Sequence, residues 1–132
     1  MCIRDRGKFL IGMLVFFSCD AIWLKAATGM CCSIYPIDEM SREQQEHTRR
    51  RTVPAVFFNG LLAAFITPIF VADTTAEAAA LGALIGLLTF GTFNIVEYAL
   101  WSKWTICTGL ADTAYGCTAY ALALAMQQVV AS

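Results

Sequence analysis

Charge is scarce in this sequence: 14% of its 132 residues are Asp, Glu, Lys or Arg, where a soluble domain carries about a quarter. The charges that exist gather between Asp38 and Arg51 and leave long stretches almost free of them. There is one histidine, His47, in a polar segment where it is expected to be solvated, and no two cysteines stand at CxxC spacing. Neither a zinc site nor a dithiol motif is therefore supported. No GxSxG, HExxH or glycine-rich phosphate loop occurs, so the sequence expects no metal, no cofactor and no recognisable catalytic nucleophile. A formal net charge of −1 gives nucleic acid no footprint. An enzyme acting on lipid with bare carboxylates is the least supported class.

What the sequence has instead is apolar residues, 58% of the total, with a mean hydropathy of +0.63. Membrane insertion is the class this composition favours, with the lipid bilayer as the first partner. The opening MCIRDRGKFL has the basic residues of a secretory leader, but the apolar run behind it continues to about residue 30. That is membrane-spanning length, not cleavage-signal length. MCIRD is also what ATG TGT ATA AGA GAC encodes, which resembles the mosaic end of a transposon-type sequencing adaptor. The adaptor's final AG leaves a codon for Ser or Arg, and Arg6 stands there. Residues 1–6 are therefore expected to be an adaptor-derived scar with the native start missing, and residues 7–132 to form a single transmembrane domain.

Four stretches, about 9–30, 53–72, 76–101 and 105–131, are long enough to cross a hydrocarbon core of roughly 30 Å, which takes about 20 helical residues. A strand barrel would show alternating segments of half that length. The turns Asp73-Thr74-Thr75 and Ser102-Lys103-Trp104 are short enough to force antiparallel neighbours. The expected fold is all-α, an integral membrane four-helix up-down bundle with a polar loop at about 31–52. Arg42, Arg49, Arg50, Arg51, Lys103 and Lys25 collect on one side and only Lys8 on the other. Positive residues mark the cytoplasmic side, so the first loop is expected inside and both termini outside. Arg49, Arg50 and Arg51 also suit anionic headgroups, although topology alone accounts for them.

The residues that do not suit lipid are the informative ones. A carboxylate at a helix centre costs about 2.5–3.5 kcal/mol on insertion scales, yet Asp20, Glu97 and Asp112 fall within the spans. In the expected orientation they share the cytoplasmic half with Asn59, Asn94 and Tyr115. Gly82, Gly86, Phe90, Asn94, Glu97 and Trp101 recur on one helical face, and Thr108, Gly109, Asp112, Tyr115, Gly116 and Ala119 on another. The small residues Gly82, Gly86, Gly109 and Gly116 predict close helix packing, within the bundle ahead of dimerisation, with oligomerisation left open. Two roles compete for the polar layer. One is an interhelical hydrogen-bond cluster that holds the bundle together or mates with a partner. The other is a proton or small-cation site, because carboxyls withdrawn from water and set close together can exchange a proton near physiological pH.

Lesser signals are quickly weighed. Cys19, Cys31, Cys32, Cys107 and Cys117 read as small packing residues or reduced thiols, and Ser41 with Gln44 suggests a capping box on a short surface helix.

The runs SCDAIWL (Ser18 to Leu24) and GALIGLLTFGTFNIVEYALWSKW (Gly82 to Trp104), the eight-residue step from Trp104 to Asp112, and the ending DTAYG (Asp112 to Gly116) together resemble domain of unknown function 2177. That is a family of small, predicted four-helix membrane proteins, mostly bacterial. The family pattern has an Asp and then Trp-Leu in the first helix, a Tyr-Asp-Leu-Thr-Asn-like stretch ending the third, a Trp, and an Asp before Trp-Gly in the fourth. Asp20, Trp23, Leu24, Trp104, Asp112 and Gly116 match it. The departures are Asn94 for the family's Asp, Glu97 for its Asn and Tyr115 for its final Trp, so an acid and an amide have traded places. The resemblance brings no established activity. The resulting expectation is a bacterial inner-membrane protein of proton- or cation-coupled transporter type, with a non-catalytic structural or partner-binding module as the alternative.

Overall fold

A computed structural model describes residues 3–29, 41–43, 46, 61, 72–100 and 104–131. Those residues are all-α, with no strand among them. Three helices carry the fold: α1 (Ile3–Gly29), α2 (Thr75–Leu100) and α3 (Ile106–Ala131). At a rise of 1.5 Å per residue each is about 40 Å long, more than a bilayer core requires.

The last two helices follow the expected third and fourth stretches to within a residue at each end. The first begins at Ile3, six residues ahead of the expected start, because charged residues that lipid rejects are still good helix formers. The expected second stretch, and with it Asn59, lies outside the described residues apart from Leu61 and Ala72. So do Arg49, Arg50, Arg51, His47, Cys31, Cys32 and Gln44 of the suggested capping box. The described helices thus number three where the sequence predicts four.

Side chains fix the helix starts. Thr74 and Glu77 form a reciprocal capping box: the Glu77 amide donates to Thr74 Oγ1 at 3.2 Å, while Glu77 Oε2 accepts from the amides of Thr74 and Asp73 at 3.3 and 3.0 Å. Thr105 caps α3 by accepting from the Thr108 amide at 3.1 Å. Two of the four N–H groups that a helix start leaves without intrahelical partners are common targets of such caps. Each cap here lies at the expected end of an apolar run.

α3 is the central helix, packed against α2 on one side and α1 on the other. Both contacts are antiparallel. Along α1 and α3 the partners run from Lys8 with Gln127 through Phe16 with Tyr120 and Asp20 with Tyr115 to Trp23 with Asp112. Along α2 and α3 they run from Gly82 with Tyr120 through Gly86 with Cys117 to Asn94 with Gly109. It follows that α1 and α2 point the same way.

The α2–α3 seam is built on small residues. Ala78, Gly82 and Gly86 are buried at four-residue spacing along α2. A Cβ at Gly82 would lie 2.7 Å from Ala121 Cα, and one at Gly86 would lie 2.6 Å from both Cys117 N and Cys117 Cα. Only glycine lets the two backbones approach this closely. At Gly116 the space is filled by Phe90, whose Cβ would be 2.8 Å from an added methyl. Phe16, Ala119, Tyr120 and Ala123 form the core between α1 and α3.

The outward faces are apolar, with Ile95 71% and Leu100 80% exposed, and Leu14, Ile22, Leu88 and Leu110 similarly open. Water would penalise so continuous an apolar surface; hydrocarbon does not. Gly7–Ala26 and Thr75–Leu100 are long and apolar enough to cross a membrane. α3, the expected fourth span, falls short of the same hydropathy. Its Thr108, Asp112 and Gln127 are buried against its neighbours, so protein covers the polar groups that lower its hydropathy.

Candidate functional site

The strongest polar feature lies toward the end of the bundle where α1 and α2 finish and α3 begins. Asp20 on α1, Asn94 on α2 and Asp112 on α3 are 7%, 4% and 5% exposed. By helical rise they sit roughly 9–14 Å from the helix ends nearest them. Such burial demands partners, since a buried polar group without one costs several kcal/mol.

The partners form a continuous chain across three helices. Trp104 Nε1–H donates to Asn94 Oδ1 at 3.2 Å. The two protons of Asn94 Nδ2 go to the Phe90 carbonyl at 2.8 Å and Asp112 Oδ2 at 3.0 Å, with Thr113 Oγ1 sharing one of them at 3.3 Å. Trp23 Nε1–H reaches Asp112 Oδ1 from α1 at 3.2 Å. The Trp23 ring lies flat on Tyr115, with centroids 4.9 Å apart and planes 4° from parallel. Tyr115 in turn donates its hydroxyl proton to Asp20 Oδ1. Phe90 closes over the other side of Tyr115 edge-on at 5.7 Å.

Each helix supplies its members by simple periodicity. On α1, Phe16, Asp20 and Trp23 are spaced by four and three residues, which places them along one stripe. On α3, Asp112, Tyr115 and Ala119 are spaced by three and four residues. The Gly82 and Gly86 seam, extended by four to Phe90 and again to Asn94, brings the amide against α3. Gly109 gives room beside it, with Asn94 Cβ 3.5 Å and Trp104 Nε1 3.6 Å from where a Gly109 Cβ would stand.

Of the residues singled out in the sequence, the structure brings together Asp20, Asn94, Asp112 and Tyr115. Glu97 is half-buried one turn beyond Asn94, and no hydrogen bond joins it to this chain among the described residues. Its position three residues on rotates it back from a seam that advances by four. Trp23, Trp104 and Thr113 are members that residue polarity did not single out. The family pattern contains both tryptophans, and only their indole N–H groups explain why they belong. Among the described residues no group of three metal-ligating side chains comes together. Asn94, Gly109 and Thr113 also line an apolar groove of about 320 Å³ between α2 and α3, walled by Leu87, Ile95 and Leu110.

A comparison with protein families finds one match relevant to this architecture: the family model of domain of unknown function 2177, described as a predicted membrane protein, covers residues 7–129. No curated protein matches the chain, and no solved structure does.

Proposed function

Because the chain belongs to domain of unknown function 2177, a family of predicted membrane proteins, we propose that it is a multi-pass bacterial inner-membrane protein that moves a proton, or a small cation in exchange for one, through its acid and amide network. The observation that carries this reading is the set of hydrogen bonds from Trp104 through Asn94 and Asp112 to Trp23, joined by the Trp23–Tyr115 ring stack to the Tyr115–Asp20 bond, which holds two carboxyls inside an apolar bundle. Ionisable groups at membrane depth are expensive, and a proton relay is one of the few uses that repays them. The groove beside Asn94 supplies an approach to the network from the α2–α3 surface.

The four-helix form of the proposal rests on chain direction. α1 and α2 run parallel, which favours an intervening span, and the apolar stretch at 53–72 has the length for one. In this proposal Asn59 reaches the depth of the other amide. Arg42, Arg49, Arg50, Arg51 and Lys103 then lie at the cytoplasmic end, the termini lie outside, and the network sits in the cytoplasmic half with Glu97 between it and the cytoplasm. Residues 1–6 remain, in this proposal, an adaptor-derived scar.

Reconstitution into vesicles tests it. Wild type should carry proton flux down an imposed pH gradient, read with an entrapped pH-sensitive dye, and Asp20→Asn should lose that flux while keeping its thermal midpoint, with Asp112→Asn losing the flux as well. Absence of flux in wild type would refute transport. A second reading has its own support: Asp112 accepts from α1 and α2 at once and so ties three helices together. In that case Asp112→Asn lowers the midpoint and no variant differs in flux.

A further inference from the structure

We propose that the two acids divide their roles, Asp112 being held as a fixed carboxylate and Asp20 carrying the exchangeable proton on Oδ2. This deepens the proton-exchange reading above and rests on it.

The donor inventory carries the assignment. An indole nitrogen can only donate. Trp104 Nε1–H therefore fixes which end of the Asn94 amide is oxygen, and so which end faces Asp112. The end facing Asp112 is the NH₂ group. Trp23, also donor-only, takes the other carboxyl oxygen. Both oxygens of Asp112 thus accept an N–H, and a proton placed on either would have to compete with one of those donors. Hydrogen bonds given to the charged form of an acid favour that form.

Asp20 is arranged differently. Its Oδ1 takes the Tyr115 hydroxyl, and no hydrogen bond is made to Oδ2 among the described residues. A carboxyl that is 7% exposed with a single donor is poorly supported as an anion. Among the described residues Tyr115 and Asp112 of α3 act on it, and its own charge acts in turn on Cys19 of α1 and Tyr120 of α3. Of the described residues on α2, Phe90 packs edge-on against Tyr115. Two carboxylates so placed repel, and one proton relieves that repulsion. It resides on the acid with the fewer donors.

The stacked Trp23–Tyr115 pair is what couples the two acids. Trp23 holds the anion and Tyr115 holds the protonated acid, so a change at one end bears on the ring that contacts the other. Tyr115 is accordingly a positioning residue for the Asp20 proton.

Isotope-edited infrared spectroscopy of the full chain in lipid, with ¹³C-carboxyl aspartate, decides the assignment at neutral pH. The wild type should show one protonated-aspartate C=O band, Asp20→Asn should abolish it, and Tyr115→Phe should move its frequency by removing the hydroxyl donor. Tyr115→Phe keeps the test decisive should Asp20→Asn not fold. A band that survives Asp20→Asn, an unmoved band in Tyr115→Phe, or no band in wild type overturns the proposal. Failure of the band with flux retained sinks this assignment alone; the expected bands with no wild-type flux sink transport alone.

Discussion

Replacing Gly86 by alanine should push α2 and α3 apart, and the size of the effect follows from the seam. The added Cβ would stand 2.6 Å from Cys117 N and Cys117 Cα, both backbone atoms that cannot rotate away. Carbon atoms pack at about 3.5–4.0 Å, so the helices must separate by roughly 1 Å locally. A gap of that order forfeits a quarter to a half of each contact's attraction along the seam, and overpacking of this kind costs about 1–3 kcal/mol. The same shift would stretch the 3.0 Å bond from Asn94 to Asp112, two turns along, toward or past hydrogen-bonding range. Alanine's better helix propensity returns at most about 1 kcal/mol. Gly91→Ala is the control, because its Cβ would meet Thr113 Cγ2 at 3.8 Å, an ordinary contact. In detergent micelles, thermal unfolding followed by near-ultraviolet circular dichroism should place Gly86→Ala well below wild type and Gly91→Ala at or above it. Equal midpoints for the two variants would refute the close-packed seam.

Two further expectations follow from the same structure. Trp104→Phe should keep most of the ring volume but leave Asn94 Oδ1 without its indole donor, lowering stability by about 1–3 kcal/mol in the same unfolding assay; an unchanged midpoint would show that the bond is not made. Ile95→Lys, at a position 71% exposed, should hinder insertion of α2 by about 2.5–3.5 kcal/mol in a glycosylation-reporter assay. Neutrality there would mean that this face meets water, not lipid.

Helix ends were legible because lipid-facing runs are bounded by polar residues: Asp73 and Thr74 before α2, Thr105 before α3. The start of α1 was less so, since helicity and membrane depth are separate properties and the arginines before Gly7 oppose only the second. Asp20, Asn94 and Asp112 could be found because charge and amide are conspicuous against an apolar background. Trp23 and Trp104 could not be found that way, because a hydropathy pattern counts an indole as bulk and overlooks its single donor. Glu97, which three-residue spacing puts on the face of Asn94, is half-buried one turn beyond it and remains an expectation from sequence. Asn59 and the arginines before the second stretch remain expectations from sequence.

The central placement of α3 bears on how the protein is made. Of the described helices α3 follows α1 and α2 in the chain and is the one that falls short of spanning hydropathy, and its Asp112 and Gln127 are covered by partners on α1 and α2. Insertion of this helix is therefore conditional on the earlier ones. Until it packs, Asp20 and Asn94 lack Tyr115 and Asp112 as hydrogen-bond partners. An incompletely synthesised chain would thus display buried-type polar groups in the bilayer, the kind of feature membrane quality-control proteases can recognise.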